Sequence, residues 1–172
     1  MRTLSIRTLD ARGFTLLEVL VVVAVVATLS AMAVSQVLRA RISANEAAAI
    51  ASVRAVNTAQ QNYSQTCQGF AASLVELKNA GSFLSPDLTA SDPIVKSGYT
   101  ISLAPSASAV AIPAPPAGCT GPQTNYYATA APLTLGSMGN RSFATDAQGT
   151  IFYTTTATPP TEASFPTATP IQ

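Results

Sequence analysis

Glu18 is the residue whose position demands an explanation. It heads an uncharged run, Val19 to Leu38, of 20 residues without a Gly or a Pro. In hydrocarbon an unpaired carboxylate costs on the order of 2–4 kcal/mol, so a carboxylate there calls for a cation. Cys67 and Cys119 are the other reactive side chains, and both follow the apolar run. They suit one disulfide in an oxidising compartment, with two free buried thiols as the other reading. A bridge closing about 50 residues is worth about 4 kcal/mol in the chain-entropy picture. The chain has no His, which removes the commonest general base and transition-metal ligand. It has no Gly-rich phosphate loop. Asp87, Asp92 and Asp146 could converge on calcium, but they form no dense acidic loop. A net charge of +1 gives no nucleic-acid footprint. These observations favour a non-enzymatic chain with no cofactor and no metal.

The elements that position Glu18 start before it. Residues 1–13 carry Arg2, Arg7 and Arg12 against Asp10. A basic leader before an apolar run stays cytoplasmic, which sends the helix C-terminus outward. An ordinary secretory signal is cut after its apolar region. Here the candidate cut precedes it, at Gly13-Phe14, so that cleavage removes the leader and keeps the apolar segment 14–38. Gly13 gives the unbranched, permissive backbone such a cut needs.

From Phe14 to Gln65 the chain has neither Gly nor Pro. It reads as one helix of about 50 residues, roughly 75 Å long. Its first half is apolar all round and long enough to cross a bilayer. Ala24, Ala27, Ser30, Ala31 and Ala33 would allow close helix approach. The second half, 39–66, begins at Arg39 and Arg41. Its Ile42, Ala49, Val53, Val56, Gln60 and Tyr63 recur at helical steps and define a face for a globular body. Arg54 and Glu46 fall on other faces, open to solvent or to a neighbouring subunit.

Residues 67–155 read as that body. Ser73-Leu74-Val75-Glu76 has capping-box spacing, with Leu74 and Leu77 facing a core. Tyr99–Leu103, Ala109–Ile112, Asn125–Thr129, Ser142–Thr145 and Thr150–Tyr153 read as strands, the last two joined by a turn at Asp146–Gly149. The expected class is α+β, an antiparallel sheet laid on the long helix. Thr156 to Gln172 is Thr/Pro-rich and reads as a loose tail.

The stretch Arg12-Gly13-Phe14-Thr15-Leu16-Leu17-Glu18-Val19 resembles the prepilin signature of type IV pilins and type II secretion pseudopilins. Ala44-Asn45-Glu46-Ala47 and Thr58-Ala59-Gln60 are also similar to pilin-like proteins, and Gly139–Asp146 is so more loosely. The resemblance implies cleavage between Gly13 and Phe14 by a prepilin peptidase and N-methylation of Phe14. The new Phe14 ammonium then lies at i−4 from Glu18 and can neutralise it, within a subunit or, as the resemblance favours, between neighbours. It further implies a homo-oligomeric helical filament built by inner-membrane assembly machinery, from a subunit held in the bilayer beforehand. Family members often carry a Pro about twenty residues after the cut, where this chain has Ser35 and Gln36. Major secretion pseudopilins commonly hold calcium in an acidic C-terminal loop, which this sequence lacks, and that leans toward a pilus subunit. The reading from another class is a single-pass, membrane-anchored extracytoplasmic binding domain.

Overall fold

The computed structural model describes residues 13–171, and the side chains of 32–35 fall outside that description. The basic residues Arg2, Arg7 and Arg12, with Asp10, and the side chains of Ala33 and Ser35, therefore lie outside the described residues. Helix α1 runs Leu16–Cys67, starting and ending two residues later than the sequence suggests. The chain divides into two compact units, residues 1–38 and Arg39–Gln172.

In the first unit Thr15 opens α1, and its hydroxyl accepts the Glu18 backbone N–H at 3.2 Å. That contact satisfies one of the donors left over in a first helical turn. The large side chains that follow, from Leu16 to Leu29, are exposed.

In the second unit, α1 from Arg39 onward packs on a six-stranded antiparallel meander in the order β1 to β6. The strands are β1 (Ile94–Lys96), β2 (Tyr99–Pro105), β3 (Tyr126–Pro132), β4 (Ser142–Asp146), β5 (Ile151–Thr154) and β6 (Thr169–Pro170). Register puts Ile101, Ala130, Phe143 and Tyr153 in one row on the helix side, and Ser102, Thr129, Ala144 and Phe152 in the next row on the other side. The helix contributes Ala49, Val53, Val56, Ala59 and Tyr63 to the core, all at most 1% exposed. This is the face the 3–4 residue spacing identified, and the α+β class with an antiparallel sheet holds. Gln60, on the same face, is fully buried and clamps Ala71 at both its N–H (2.8 Å) and its carbonyl (2.9 Å). A buried amide is tolerable because both ends are satisfied.

Helix α2 (Leu74–Asn79) is capped by Ser73, whose hydroxyl accepts the Glu76 N–H. Glu76 reaches back to the Ala72 N–H at 2.8 Å, one residue beyond the N-cap that is the usual reciprocal partner. Leu74 and Leu77 are fully buried. The Cys67–Cys119 disulfide joins the end of α1 to the long β2–β3 connection rather than to a strand. Two hydrogen bonds of 2.8 Å between Phe70 and Gln123 reinforce that seam.

Four sequence expectations fail. Ala109–Ile112 is not a strand and makes only an isolated bridge, Ala111 to Gln123. Backbone bonds flank that bridge on both sides, but the ladder goes no further, because the Ala109 N–H turns back to the Ser106 carbonyl at 3.0 Å and Pro113 has no N–H to donate. Strand β1 was not anticipated. It pairs with β2 through a turn at Ser97 (φ 49°) and Gly98 (φ 75°), the two consecutive positive φ angles of a tight hairpin. The tail beyond Thr156 is not loose. Phe165 stacks on Phe152 with ring centroids 4.6 Å apart, the Pro160 carbonyl accepts the Tyr127 hydroxyl at 2.6 Å, and Ile171 N–H bonds to Ile151. The outer sheet face is thereby covered by the chain's own end, because one aromatic anchor outweighs a Thr/Pro-rich composition.

The fourth correction is Glu46, expected on an open face of the helix. It is 7% exposed and ion-paired to Arg141 at 2.7 Å. It also accepts the Asn140 N–H at 2.8 Å. Beside it, the Asn45 amide donates to the Met138 carbonyl at 3.0 Å. Two of the three stretches singled out beyond the N-terminal motif, Ala44–Ala47 and Gly139–Asp146, thus meet in space, the helix stretch holding the β3–β4 loop. Gly139 permits this closeness: a Cβ there would fall 1.9 Å from the Tyr99 hydroxyl oxygen.

Candidate functional site

The residues singled out by sequence, Gly13, Phe14 and Glu18, sit at the N-terminal end of the first unit. Gly13 precedes the helix, and among the described residues an added Cβ there would meet nothing within 4 Å. Phe14 is 81% exposed. Phe14, Glu18 and Val22 follow one another at i, i+4 and i+8, and with Val19 and Val23 they line one shallow concavity of the helix surface. A carboxylate therefore lies on the same side as the residue that a cut after Gly13 would turn into a new N-terminus. An ammonium at i−4 is close enough for an intramolecular pair, and an exposed carboxylate is equally open to an ammonium from outside.

Behind Glu18 the helix is long and apolar enough to cross a membrane by length and composition. Among its described residues no side chain of this stretch is buried within the unit. A surface of Leu and Val this large is far beyond the patch a water-soluble monomer exposes. Ala24, Ala27, Ser30 and Ala31 leave shallow places along it, where another helix can approach.

The acids weighed as calcium ligands are committed elsewhere. Asp87 pairs with Lys96 and accepts the Ser85 hydroxyl, and the Lys96 contact holds its carboxyl below the usual range. Asp92 accepts the N–H groups of Leu74 (2.8 Å) and Leu103 (3.2 Å), joining α2 to β2. Burial raises its pKa, which those two bonds partly offset. Asp146 accepts the Gln148 N–H in the β4–β5 turn. Burial likewise raises Glu76, and pushes the Tyr99 hydroxyl up to about 12, with the Glu46 charge adding to the effect on Tyr99.

What sequence reasoning missed is the Glu46–Arg141 clamp. The only available signal was that an acid and an Arg both sat in stretches of pilin-like character, some 95 residues apart, and nothing local joined them.

A family model described as the prokaryotic N-terminal methylation motif matches residues 9–34. No curated protein and no solved structure matches the chain.

Proposed function

The chain carries the N-terminal methylation motif that is the signature of type IV pilins and pseudopilins, and we propose that it is a structural, non-enzymatic subunit of a type IV pilus-like filament. In this reading a prepilin peptidase cuts between Gly13 and Phe14, the Phe14 amine is N-methylated, and the basic leader is lost. The subunit waits in the inner membrane with its helix spanning the bilayer and its body on the extracytoplasmic side. It is then built into a filament by the assembly machinery, with hydrophobic helices packed together at the centre.

The observation that carries this reading is one exposed carboxylate at the head of an apolar helical run whose described side chains are exposed, directly after the Gly13-Phe14 bond. In lipid, Glu18 is costly unless it meets an ammonium. A neighbour's Phe14 ammonium supplies one, and the geometry of that pair fixes how far each incoming subunit is displaced along the axis. The contact is heterologous, since helix meets helix at a shifted position, and so it propagates instead of closing. Adhesion, motility and DNA uptake are the roles such a filament serves.

Electron microscopy of sheared surface material, with mass spectrometry of the purified protein, tests the proposal. Filaments containing a chain that begins at methylated Phe14 support it. A processed chain found only as an isolated membrane protein points instead to an anchored binding domain. Processed protein that forms filaments only within the envelope points to a secretion pseudopilus.

A further inference from the structure

We propose that the β3–β4 loop, with Leu133, Leu135 and Met138 at its surface, is a lipid-contacting element that rests in the headgroup layer of an anionic bilayer before assembly. This rests on the reading that the apolar helix is membrane-embedded in that state.

Leu133, Leu135 and Met138 are 54%, 42% and 39% exposed. Three large apolar side chains clustered on one short loop stand out in a body whose other exposed large apolar residues, Val95 and Val110, lie singly on separate segments. The loop is not free to fold away. Its Met138 carbonyl is held by Asn45, Asn140 N–H and Arg141 are held by Glu46, and Leu133 N–H bonds to the Gly98 carbonyl at 2.9 Å. A Cβ on Gly98 would touch both Met138 and Asn45, so the β1–β2 turn and the loop lie side by side against the helix. Within this unit Asn45 is six residues beyond Arg39, about 9 Å along the helix. Arg39 is the residue that ends the apolar run, and Arg and Lys at such a boundary sit at headgroup level.

Charge complements this placement. The loop, the β1–β2 hairpin beside it with the Lys96 partner Asp87, and the first two turns of this unit's helix carry Arg39, Arg41, Lys96 and Arg141 against Glu46 and Asp87, a surplus of two positive charges. The rest of the second unit carries Arg54 and Lys78 against Glu76, Asp92, Asp146 and Glu162, a surplus of two negative charges. Among the described residues neither Arg39 nor Arg41 has a carboxylate at ion-pair distance. A basic end with apolar side chains and an acidic remainder match an anionic lipid surface, where each nearby cation adds about 1 kcal/mol of attraction. Apolar side chains reach about 5–10 Å into the headgroup boundary in such binding. A second copy of this chain would bring the same surplus of positive charge to the patch.

The chain contains no Trp, which makes single-Trp variants clean probes. L135W, V110W and V23W of the full chain are reconstituted at low protein-to-lipid ratio into vesicles whose lipids carry bromine at a shallow acyl position. The vesicles are either zwitterionic or contain an anionic phospholipid. Val110 is 64% exposed on the β2–β3 connection and serves as the aqueous reference. Val23 lies in the apolar run and reports anchoring alone. The expected result is blue-shifted, quenched emission for V23W and L135W, with L135W losing roughly half its intensity, more with the anionic lipid, and V110W unaffected. Quenching of V23W with L135W matching V110W overturns this inference and leaves the anchoring intact. A blue shift of L135W that grows with protein density and ignores bromine assigns the patch to a second copy and also overturns it. An unquenched V23W overturns the anchoring and the inference together.

Discussion

The two halves of α1 follow one helical repeat and have opposite needs. From residue 39 onward its apolar face is buried by the sheet, with Val53, Val56 and Tyr63 at 0% exposure. Before residue 39 the described large apolar side chains are half or more exposed, Leu16 reaching 84%. Burying a Leu or Val is worth about 1.5–3 kcal/mol, so the first half leaves a large driving force unsatisfied by its own chain. The second half explains how the body folds. The first half calls for cover from outside itself, which in the proposed function is a bilayer at one stage and neighbouring helices at another. One acid at the head of the unsatisfied half gives that requirement a direction.

The sharpest way to break this contrast is Glu18→Ala. Leader removal should proceed normally, because the cut lies outside the helix, while filament yield should fall by roughly tenfold or more, the share of about 1.4 kcal/mol or more per subunit contact. Immunoblots of the processed chain beside sheared filaments measure both. Normal filament yield would separate Glu18 from assembly.

Cys119→Ser should act on the second unit alone. Loss of the bridge is expected to lower unfolding stability by about 4 kcal/mol, read from urea transitions, without changing the processed N-terminus. If leader removal fails as well, the two regions are not independent in the way the contrast requires.

Glu46→Gln should be milder. It leaves the Arg141 guanidinium without its carboxylate and weakens the hold on Asn140. Because Arg141 is partly solvent-exposed, a loss of about 2 kcal/mol is expected rather than the larger cost of a fully buried pair. Faster backbone amide exchange confined to residues 133–141 would locate the effect.

The smallest effect concerns pH. Asp92 and Glu76 have folded-state values raised above their ordinary 3.8 and 4.5 by burial. The folded state therefore holds the proton more tightly than the unfolded chain. The stability this contributes is fully present below the unfolded values and is lost as pH rises through the raised ones. The urea midpoint should accordingly increase as pH falls from neutral toward about 4.5, and Asp92→Asn should flatten that slope. A slope unchanged in the variant would remove Asp92 from the account.

Much of this was legible in sequence because it is local. Gly13-Phe14 and Glu18 are contiguous, the Gly- and Pro-free stretch specifies a helix, and the apolar steps from Ala49 to Tyr63 name its buried face. Ser73 and Glu76 announce α2, and the alternation at Tyr99–Leu103 announces β2. What was not legible depends on distant partners. Glu46 reads as a solvent-facing acid until Arg141 arrives from the β3–β4 loop, 95 residues along the chain. The end of the chain reads as disordered until Phe165 finds Phe152. For the candidate site, position and chemistry were readable, whereas the proposed partner of Glu18, a Phe14 ammonium of the same or a neighbouring subunit, exists only after a cut that the sequence can suggest but not perform.

Mass spectrometry of the N-terminus of protein purified from its native membrane bears most directly on the central claim. The account predicts a chain that begins at Phe14 and carries one added methyl group on its amine. A chain that still begins at Met1, with Arg2, Arg7 and Arg12 attached, would leave Glu18 without an ammonium and contradict it.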